Sequence, residues 1–413
     1  MLDSLSDASK QRGELGESLA TVQKFDVPLL QATTPSLDAL KAYSLGLEVS
    51  NEKGVAAALP YDQHATELDS NFAMGYRAVG SDYSSLGEVG RASEYFTKAF
   101  QLREHASERE KLLISANYYK NVTGELDKAA QTYQEEIESY PRDSSAYGGL
   151  GVVLGEKGQY EKATEIMVQG IRLTPDRLGP YVNLVNKVLA LQRFDEARQI
   201  IHEAQARKSD SYPLHNALYA LAFLESDSAA MAEQQQWYAA KPEYEDVGLA
   251  LASDTEAYGG HLGKAQELVK RAVDSAARVD NKEGGAREQA IAAQRDAAYG
   301  NAAEARQSAA EALKLAPESQ DVEAETAIAF AIAGDTGRAD SLAQDLRKRF
   351  PLDTQMQSLW LPAIQGSWRW IERIRPLPLL HCKLLHPSSS GRSRGSRTFP
   401  ASIPFTYAER HTW

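Results

Sequence analysis

Apolar and small residues recur along this chain at the spacings expected of paired amphipathic helices. The clearest window holds an aromatic residue, a leucine, several small residues and a closing proline. These residues are Tyr147, Leu150, Gly151, Gly158, Ala163 and Pro175. The large side chains of a first helix fill the space beside small residues, where two helices approach closely. A proline then ends the second helix, because it has no amide hydrogen and clashes with the preceding turn.

This two-helix unit is repeated along the chain. Pro141 and Pro175 are 34 residues apart, and the same 34 residues separate Pro317 from Pro351. That spacing is the period of tetratricopeptide repeats. Other windows keep some of the small landmarks and lose others. The landmarks that they keep are Gly80, Gly87, Ala92, Ala99, Gly124, Ala129, Ala197, Ala204, Ala230, Ala265, Ala272, Gly300, Ala305, Ala312, Gly334 and Ala339.

The order of aromatic, leucine, glycine, alanine and proline resembles the tetratricopeptide family. This resemblance implies an all-α fold, a tetratricopeptide-repeat α-solenoid in which helix pairs stack into a right-handed superhelix. From the number of windows we expect one elongated body of about eight or nine helix pairs.

Pattern and composition divide the chain into three parts. Residues 1–36 are predicted to form an N-terminal helix and a connector, and residues 37–365 the solenoid. Residues 366–413 hold apolar and aromatic residues scattered among proline, serine and arginine with neither helical nor strand periodicity. We therefore predict an irregular basic tail there, which is either disordered or translated out of frame. The competing interpretation is a genuine tail that binds an acidic partner.

The N-terminal part contains one short amphipathic segment, from Leu15 to Val22. A connector with two prolines and two threonines follows it. Thr34 or Ser36 is predicted to cap the first solenoid helix, which we expect to run from about Leu37 to Leu47.

Charge and cysteine content narrow the function classes. The net charge is −12, of which residues 366–413 contribute +6 and residues 1–365 contribute −18. An acidic solenoid is a poor binder of nucleic acid or of anionic membrane surfaces. The single cysteine, Cys382, excludes an intramolecular disulfide framework. The sequence shows no secretory signal and no run of 18 apolar residues, so we expect a cytoplasmic product without a membrane segment.

Several stretches closely resemble the repeat region of bacterial eukaryotic-like serine/threonine kinases, particularly the acidobacterial type. They are ATTPSLDALKAYSLG from residue 32, NFAMGYRAVG from residue 71, LHNALYALAFL from residue 214 and KRFPLDT from residue 348. The resemblance implies that a cytoplasmic kinase domain and a transmembrane helix usually precede the repeats. If the chain is a fragment of such a kinase, we expect it to lie outside the cytoplasm.

The parts required for phosphoryl transfer are missing from this sequence. It has no glycine-rich phosphate loop, no His-Arg-Asp catalytic loop and no Asp-Phe-Gly. We therefore predict no catalytic residue, no cofactor and no metal. Gly149, Gly151 and Gly155 only superficially resemble a dinucleotide loop, and we interpret them as close-contact sites between repeat helices. A zinc site at His381, Cys382 and His386 is disfavoured, because the sequence offers no evident fourth ligand for a tetrahedral zinc ion.

The concave surface, formed chiefly by the first helices, is the predicted binding site for a protein or peptide ligand. By the repeat register, Arg77, Tyr118, Asn121 and Asn186 project there. For each residue the alternative is a solvated groove position without a partner. A clamp for a C-terminal carboxylate is disfavoured, since Gly148 occupies one of its lysine positions.

These observations predict a noncatalytic protein-protein interaction scaffold or sensor region of a kinase-like signalling protein. One alternative is an enzyme with an unrecognised site in the divergent region 241–285. Another is a fragment of a gene that has no function.

Overall fold

The structure is a computed structural model that describes residues 33–175, 179–207 and 211–374. Within these ranges it contains 19 α-helices and no strand. The predicted all-α fold is therefore confirmed. Taken in chain order, the described helices make nine consecutive pairs and a last helix that follows them, which agrees with the eight or nine pairs expected from the sequence.

The helices are separated by short turns. The first ten are α1 Leu37–Lys53, α2 Val55–Leu68, α3 Ala73–Ser85, α4 Val89–Gln101, α5 Glu108–Tyr118, α6 Leu126–Ser139, α7 Ser144–Glu156, α8 Tyr160–Leu173, α9 Gly179–Ala190 and α10 Phe194–Ala206. The remaining nine are α11 Tyr212–Leu224, α12 Ser228–Ala239, α13 Glu245–Tyr258, α14 Leu262–Arg278, α15 Lys282–Ala298, α16 Ala302–Leu315, α17 Gln320–Ile332, α18 Thr336–Arg349 and α19 Leu361–Ile374.

The first helix begins where the sequence predicts. Ser36 is its N-cap, because its hydroxyl oxygen accepts a hydrogen bond of 3.2 Å from the Ala39 amide. The helix continues to Lys53, six residues beyond the predicted end at Leu47. No proline interrupts that stretch, and Gly54 then leaves the helical conformation with a φ of 88°. The predicted segment Leu15 to Val22 lies outside the described residues.

Turns between paired helices use a left-handed residue at a fixed position. Gly158 occupies it between α7 and α8 with a φ of 72°, as the landmark pattern predicts. Where the pattern lacks this glycine, the turn persists with other residues. Gln192 between α9 and α10 and Ser226 between α11 and α12 have φ angles of 58° and 59°. Packing thus imposes on these two residues a conformation that glycine adopts without strain.

The chain divides into two compact units. Among the described residues, unit 1 comprises 33–217 and 352–355, and unit 2 comprises 218–351 and 356–374. The single elongated body expected from the repeat pattern stays a prediction. The pattern has no signal for this division, because the division falls within α11 and the segment 352–355 returns to unit 1 from far along the sequence.

Each unit has hydrophobic core clusters of its own. Unit 1 buries aromatic residues such as Phe72, Phe96 and Tyr133. One cluster of unit 2 consists mainly of alanines of α15, α16 and α17, together with Phe330 and Leu346. Of the helices in the described ranges, none has both the length and the apolar character needed to cross a bilayer.

The predicted start of the irregular tail at residue 366 is displaced. Helix α19 runs through Gly366 to Ile374 and packs against α17 and α18. A single glycine inside a helix costs only about 1 kcal/mol. The part of the tail beyond Ile374 lies outside the described residues.

Close helix contacts explain three of the four glycines of α7, whereas a β-carbon at Gly148 would meet nothing within 4 Å. A β-carbon at Gly149 would lie 2.4 Å from the Tyr133 ring, and one at Gly151 would lie 2.5 Å from the Met167 side chain. At Gly155 it would lie 2.4 Å from the Lys187 side chain. The structure therefore supports the packing interpretation of these three glycines, all of which lie within one helix.

Candidate functional site

The first helix of the third pair is irregular, and its irregular turn carries two of the predicted binding residues. After α5 the chain makes a π-helical turn, Tyr119–Thr123, which Gly124 ends with a φ of 67°. Wider turns of this kind occur often at functional positions of helices. The sequence signals were Asn117 and Lys120, which replace the glycine and tyrosine usual at those offsets.

Tyr118 is half-buried and stacks on an aromatic ring of the preceding pair. Its ring centroid lies 4.0 Å from that of Phe100, with an angle of 12° between the planes. Tyr119 meets the same Phe100 edge-on at 6.0 Å. These contacts hold the side chain of Tyr118 in one orientation, so a ligand that contacts it costs little additional side-chain entropy.

The Asn121 side chain makes hydrogen bonds both to the backbone of the helix and to the buried ammonium group of Lys120. Its side-chain amide donates to the Asn117 carbonyl oxygen at 2.9 Å, and its side-chain oxygen accepts from the Lys120 ammonium at 2.9 Å. The Lys120 ammonium in turn lies 3.6 Å from the Glu156 carboxylate at the end of α7. Asn121 therefore orients the lysine that faces Glu156.

Lys120, Glu156 and Lys187 form a buried charge cluster on three successive first helices. The Lys120 and Glu156 side chains are only 9% and 10% exposed, and Lys187 is 7% exposed. Burial lowers the pKa of Lys120 and raises the pKa of Glu156. Each lysine favours the charged form of Glu156, whereas Lys187 further disfavours the charge of Lys120. The sequence analysis missed this cluster, because its members lie in different repeats.

A short segment of the chain itself lies against these first-helix ends within unit 1. The Thr354 amide donates to the Gly124 carbonyl at 2.9 Å, and the Leu126 amide donates to the Thr354 hydroxyl oxygen at 3.2 Å. The Gln355 side-chain amide donates to the Glu156 carbonyl oxygen at 3.1 Å. The surface around Gly124 and Glu156 thus holds a polypeptide segment mainly through its own backbone groups.

Arg77 lies near three buried carboxyl groups of unit 1, which are separate from the charge cluster. Its guanidinium donates to the Ser81 hydroxyl at 3.3 Å, while its buried Nε has no hydrogen-bond partner among the residues that the structure describes. Burial raises the pKa of Asp62, Asp82 and Glu136. The Arg77 charge opposes this rise at all three carboxyls. At Asp82 the neighbouring Asp62 raises the pKa further.

Asn186 offers little surface to a ligand. It is 7% exposed, and its side-chain amide donates to the Val182 carbonyl at 3.2 Å within its own helix. Tyr118 and Asn121 lie on one helical segment, whereas Arg77 lies among the buried carboxyls. Asn186 is the neighbour of Lys187 on α9, so the structure places it beside the charge cluster.

The divergent region 241–285 forms α13, α14 and the start of α15. Two of its partly exposed carboxyls have structural partners in unit 2. Asp254 pairs with the Arg295 guanidinium, and Glu245 accepts hydrogen bonds from Ser275 and Arg278. Across residues 33–175, 179–207 and 211–374, no group of three or more potential ligands is arranged to hold a metal ion. His381, Cys382 and His386 lie outside these ranges.

Comparison with known proteins supports the fold. A sequence profile described as "Tetratricopeptide repeat" matches residues 144–177, the window with the most complete pattern. The fold is a tetratricopeptide-repeat solenoid. The solved structures that it resembles include yeast Tom70, with 15% identity, 93% of this chain and 99% of that chain covered, and a TM-score of 0.39. The repeat protein YrrB is 18% identical over 44% of this chain and 91% of its own, with a TM-score of 0.25.

Curated relatives match a smaller part of the sequence. The photosystem I assembly protein Ycf3 of Prochlorococcus marinus is 25% identical over 125 residues, which is 27% of this chain and 70% of that protein. The Ycf3 protein of Rippkaea orientalis is 28% identical over 132 residues, or 29% of this chain and 73% of that protein. This chain is therefore similar to assembly proteins over less than a third of its length.

Proposed function

We propose that this chain is a noncatalytic scaffold that binds a protein or peptide along the first-helix surface of unit 1. The surface comprises the side chains of Tyr118 and Asn121 together with backbone groups of Gly124, Leu126 and Glu156. It is built from aromatic contact, side-chain amides and backbone donors and acceptors, the groups that recognise extended peptides. Proteins with this repeat architecture bind peptide or protein partners.

The observation that carries the proposal is the seating of residues 353–355 on this surface. Two backbone carbonyls and one backbone amide of unit 1 bond to Thr354 and Gln355. Backbone-mediated contacts of this kind accept many sequences, and neighbouring side chains then supply selectivity. A partner peptide with a similar hydroxyl and amide pair would make the same three hydrogen bonds once it displaced Thr354 and Gln355 from them.

Two of the predicted binding residues lie on the helical segment that ends at Gly124, and two have other surroundings. Tyr118 and Asn121 border the surface, and Tyr118 contributes an aromatic ring already fixed by Phe100. Arg77 acts by balancing the buried carboxyls beneath the neighbouring helices. Asn186 is largely enclosed and bonds to the Val182 carbonyl of its own helix, so it offers a partner little surface.

The proposed biological setting is the sensor or scaffold region of a kinase-like signalling protein. Its support is the resemblance of four stretches to repeat regions of bacterial eukaryotic-like kinases. In the described chain these stretches contribute to α1, α3, α11 and the segment after α18. The relatives named as photosystem I assembly proteins favour a second setting, the assembly of a multiprotein complex. Both settings require that the chain binds a partner, and neither requires that it catalyses a reaction.

Selection of displayed peptides on the purified full chain tests the binding surface. Tyr118→Ala and Asn121→Ala should each weaken the selected peptides by about tenfold, which corresponds to about 1.4 kcal/mol. Tyr258→Ala is the matched control, because Tyr258 is 73% exposed and lies on α13 in unit 2. Equal weakening by all three substitutions, or the absence of any enriched peptide, would reject the proposed surface.

A further inference from the structure

A groove of unit 2 lies between two successive second helices. Its walls are formed by side chains of α14 and α16, its floor is formed by α15, and its volume is about 530 Å³. Sites that bind ligands commonly have volumes of about 300 to 1,000 Å³. Because second helices form its walls, this α14–α16 groove is a different surface from the first-helix surface of unit 1.

The floor of the groove contains a carboxyl group at a position that is apolar in other helix pairs. Asp296 lies four residues before Gly300, the left-handed residue of its turn, and is only 4% exposed. In four other turns, the residues four positions before the left-handed residue are Leu154, Val188, Ala222 and Phe330. A buried carboxylate costs stability unless a cation or several hydrogen bonds compensate it. Packing alone therefore does not account for an aspartate here.

The preceding helix pair also has a carboxyl group at this position, but there a cation pairs with it. Glu256 accepts a hydrogen bond of 2.6 Å from the Lys264 ammonium and lies 2.8 Å from the His261 ring. In the pair of α15 and α16, the residue that corresponds to Lys264 is Glu304, since each lies four residues after a left-handed glycine. A second carboxylate thus replaces the cation of the preceding pair.

Asp296 and Glu304 form no ion pair with any side chain that the structure describes. The Gln266 side-chain amide lies 3.3 Å from each Asp296 carboxylate oxygen, longer than the ~2.9 Å typical of such a bond. The neighbouring Arg295 guanidinium is bonded to Asp254 instead. Burial raises the pKa of Asp296, the Gln266 hydrogen bond and the Arg295 charge oppose this rise, and the Glu304 charge adds to it. The other charged residues of the lining balance one another in number; they are Asp274, Glu311, Lys270 and Lys314.

The part of the groove next to these two carboxylates is apolar. Val269 and Ala292 are 8% and 5% exposed, and they line the groove together with the half-buried Val273. Ala292 lies one helical turn from Asp296, a rise of about 6 Å along α15. Alternate side chains of an extended peptide face the same side and are about 7 Å apart. Two such side chains would therefore reach Asp296 and Ala292 at the same time.

We propose that the α14–α16 groove binds an extended segment of a partner protein through an arginine side chain and through an apolar side chain two residues further along. The arginine guanidinium donates to Asp296 and Glu304 together, because its planar group carries several N–H donors in a fixed geometry. The apolar side chain packs on Val269 and Ala292. The site lies wholly within unit 2 and is independent of the surface proposed for unit 1.

Fluorescence anisotropy with two dye-labelled pentapeptides tests this assignment on the purified full chain. One peptide is Gly-Arg-Ala-Leu-Gly, and the other carries citrulline, which has nearly the shape of arginine but no charge. We expect the arginine peptide to bind at least about tenfold more tightly than the citrulline peptide. Equal affinities of the two peptides, or no binding of the arginine peptide below about 1 mM, would overturn the proposal.

Two lysine substitutions show whether the charge acts within the groove. Glu304→Lys reproduces the charge arrangement of the preceding pair and supplies an ammonium group to Asp296. It should weaken the arginine peptide by about tenfold or more and abolish the preference over citrulline. Glu267→Lys makes the same change of charge at an exposed position of α14 that does not line the groove, so it should alter both affinities by less than about twofold. Equal weakening by the two substitutions would mean a long-range charge effect and would reject the site.

Asp296→Asn distinguishes a binding role of the carboxylate from a structural one. The substitution removes the charge and keeps the shape, so it should weaken the arginine peptide by about tenfold. The urea midpoint should equal or exceed that of the parent, because a buried carboxylate without a cation is removed. A lower midpoint would mean that the carboxylate supports the fold, and the proposal would then be wrong.

Discussion

Glu136 is a carboxyl at a packing position that other repeats fill with alanine. Counted by the repeat register, its counterparts are Ala99, Ala204, Ala272 and Ala312. The Glu136 side chain is 0% exposed, and neither carboxyl oxygen has a hydrogen-bond partner among the described residues. Burial raises its pKa from 4.5 to about 8, with the nearby Asp143 charge adding to the rise and Arg109 opposing it.

This raised pKa has a defined effect on stability. Between pH 4.5 and about 8 the folded chain keeps a proton on Glu136 that the unfolded chain releases. The stabilisation is therefore fully present below pH 4.5 and is lost as pH rises through the folded pKa. Each pKa unit corresponds to ~1.4 kcal/mol, so the free energy of unfolding falls by about 3 kcal/mol between pH 4.5 and pH 7 from this group alone.

Glu136→Gln removes this titration while keeping nearly the same shape. We expect the variant to gain on the parent as pH rises, with a difference of about 3 kcal/mol between pH 4.5 and pH 7. Urea unfolding of both chains at several pH values measures that difference. Glu135→Gln is the matched control, because Glu135 is the exposed neighbour of Glu136 on the same helix. If the parent and Glu136→Gln have parallel pH profiles, the carboxyl is not held protonated in the fold and the reasoning fails.

Three further predictions concern packing, turn geometry and chemistry. Ala163→Leu should lower the unfolding free energy by about 1 to 3 kcal/mol, because Ala163 is 0% exposed against α7. Thermal unfolding should show no comparable loss for Ala303→Leu, which lies on an exposed side of α16. Gln192→Gly should raise stability by about 1 kcal/mol, since it relieves a positive φ; an unchanged or lowered urea midpoint would contradict this. The purified chain should show no ATP turnover above a buffer blank, and phosphotransfer that persists through repurification would refute the noncatalytic proposal.

The repeat pattern predicted the helices because each landmark has a local mechanical cause. Gly158 supplies the left-handed turn, and Ala163 and Gly151 permit a close helix contact. The same pattern was even able to indicate irregular packing of α5, since Asn117 and Lys120 depart from the usual residues. These causes act within one pair of helices, so a single window of sequence contains them.

The candidate site was only partly predictable for the same reason. Tyr118 and Asn121 follow from the repeat register, but the charge cluster combines side chains from α5, α7 and α9. The bonds from Thr354 to Gly124 and Leu126 join residues more than 220 positions apart. Neither arrangement leaves a periodic trace in sequence, because each depends on how successive pairs are rotated and on where the chain returns.

The buried carboxyls of unit 1 make folding a reaction that takes up protons. Burial raises the pKa of Asp82 to about 9 and that of Glu136 to about 8, so unfolding near neutral pH releases protons from these two groups into the solvent. Asp62, whose pKa is raised only to about 6, is mostly ionised there already. The heat of unfolding measured by calorimetry must then include the ionisation enthalpy of the buffer. Scans in phosphate and in Tris at one pH should accordingly give different apparent enthalpies for the same structural transition.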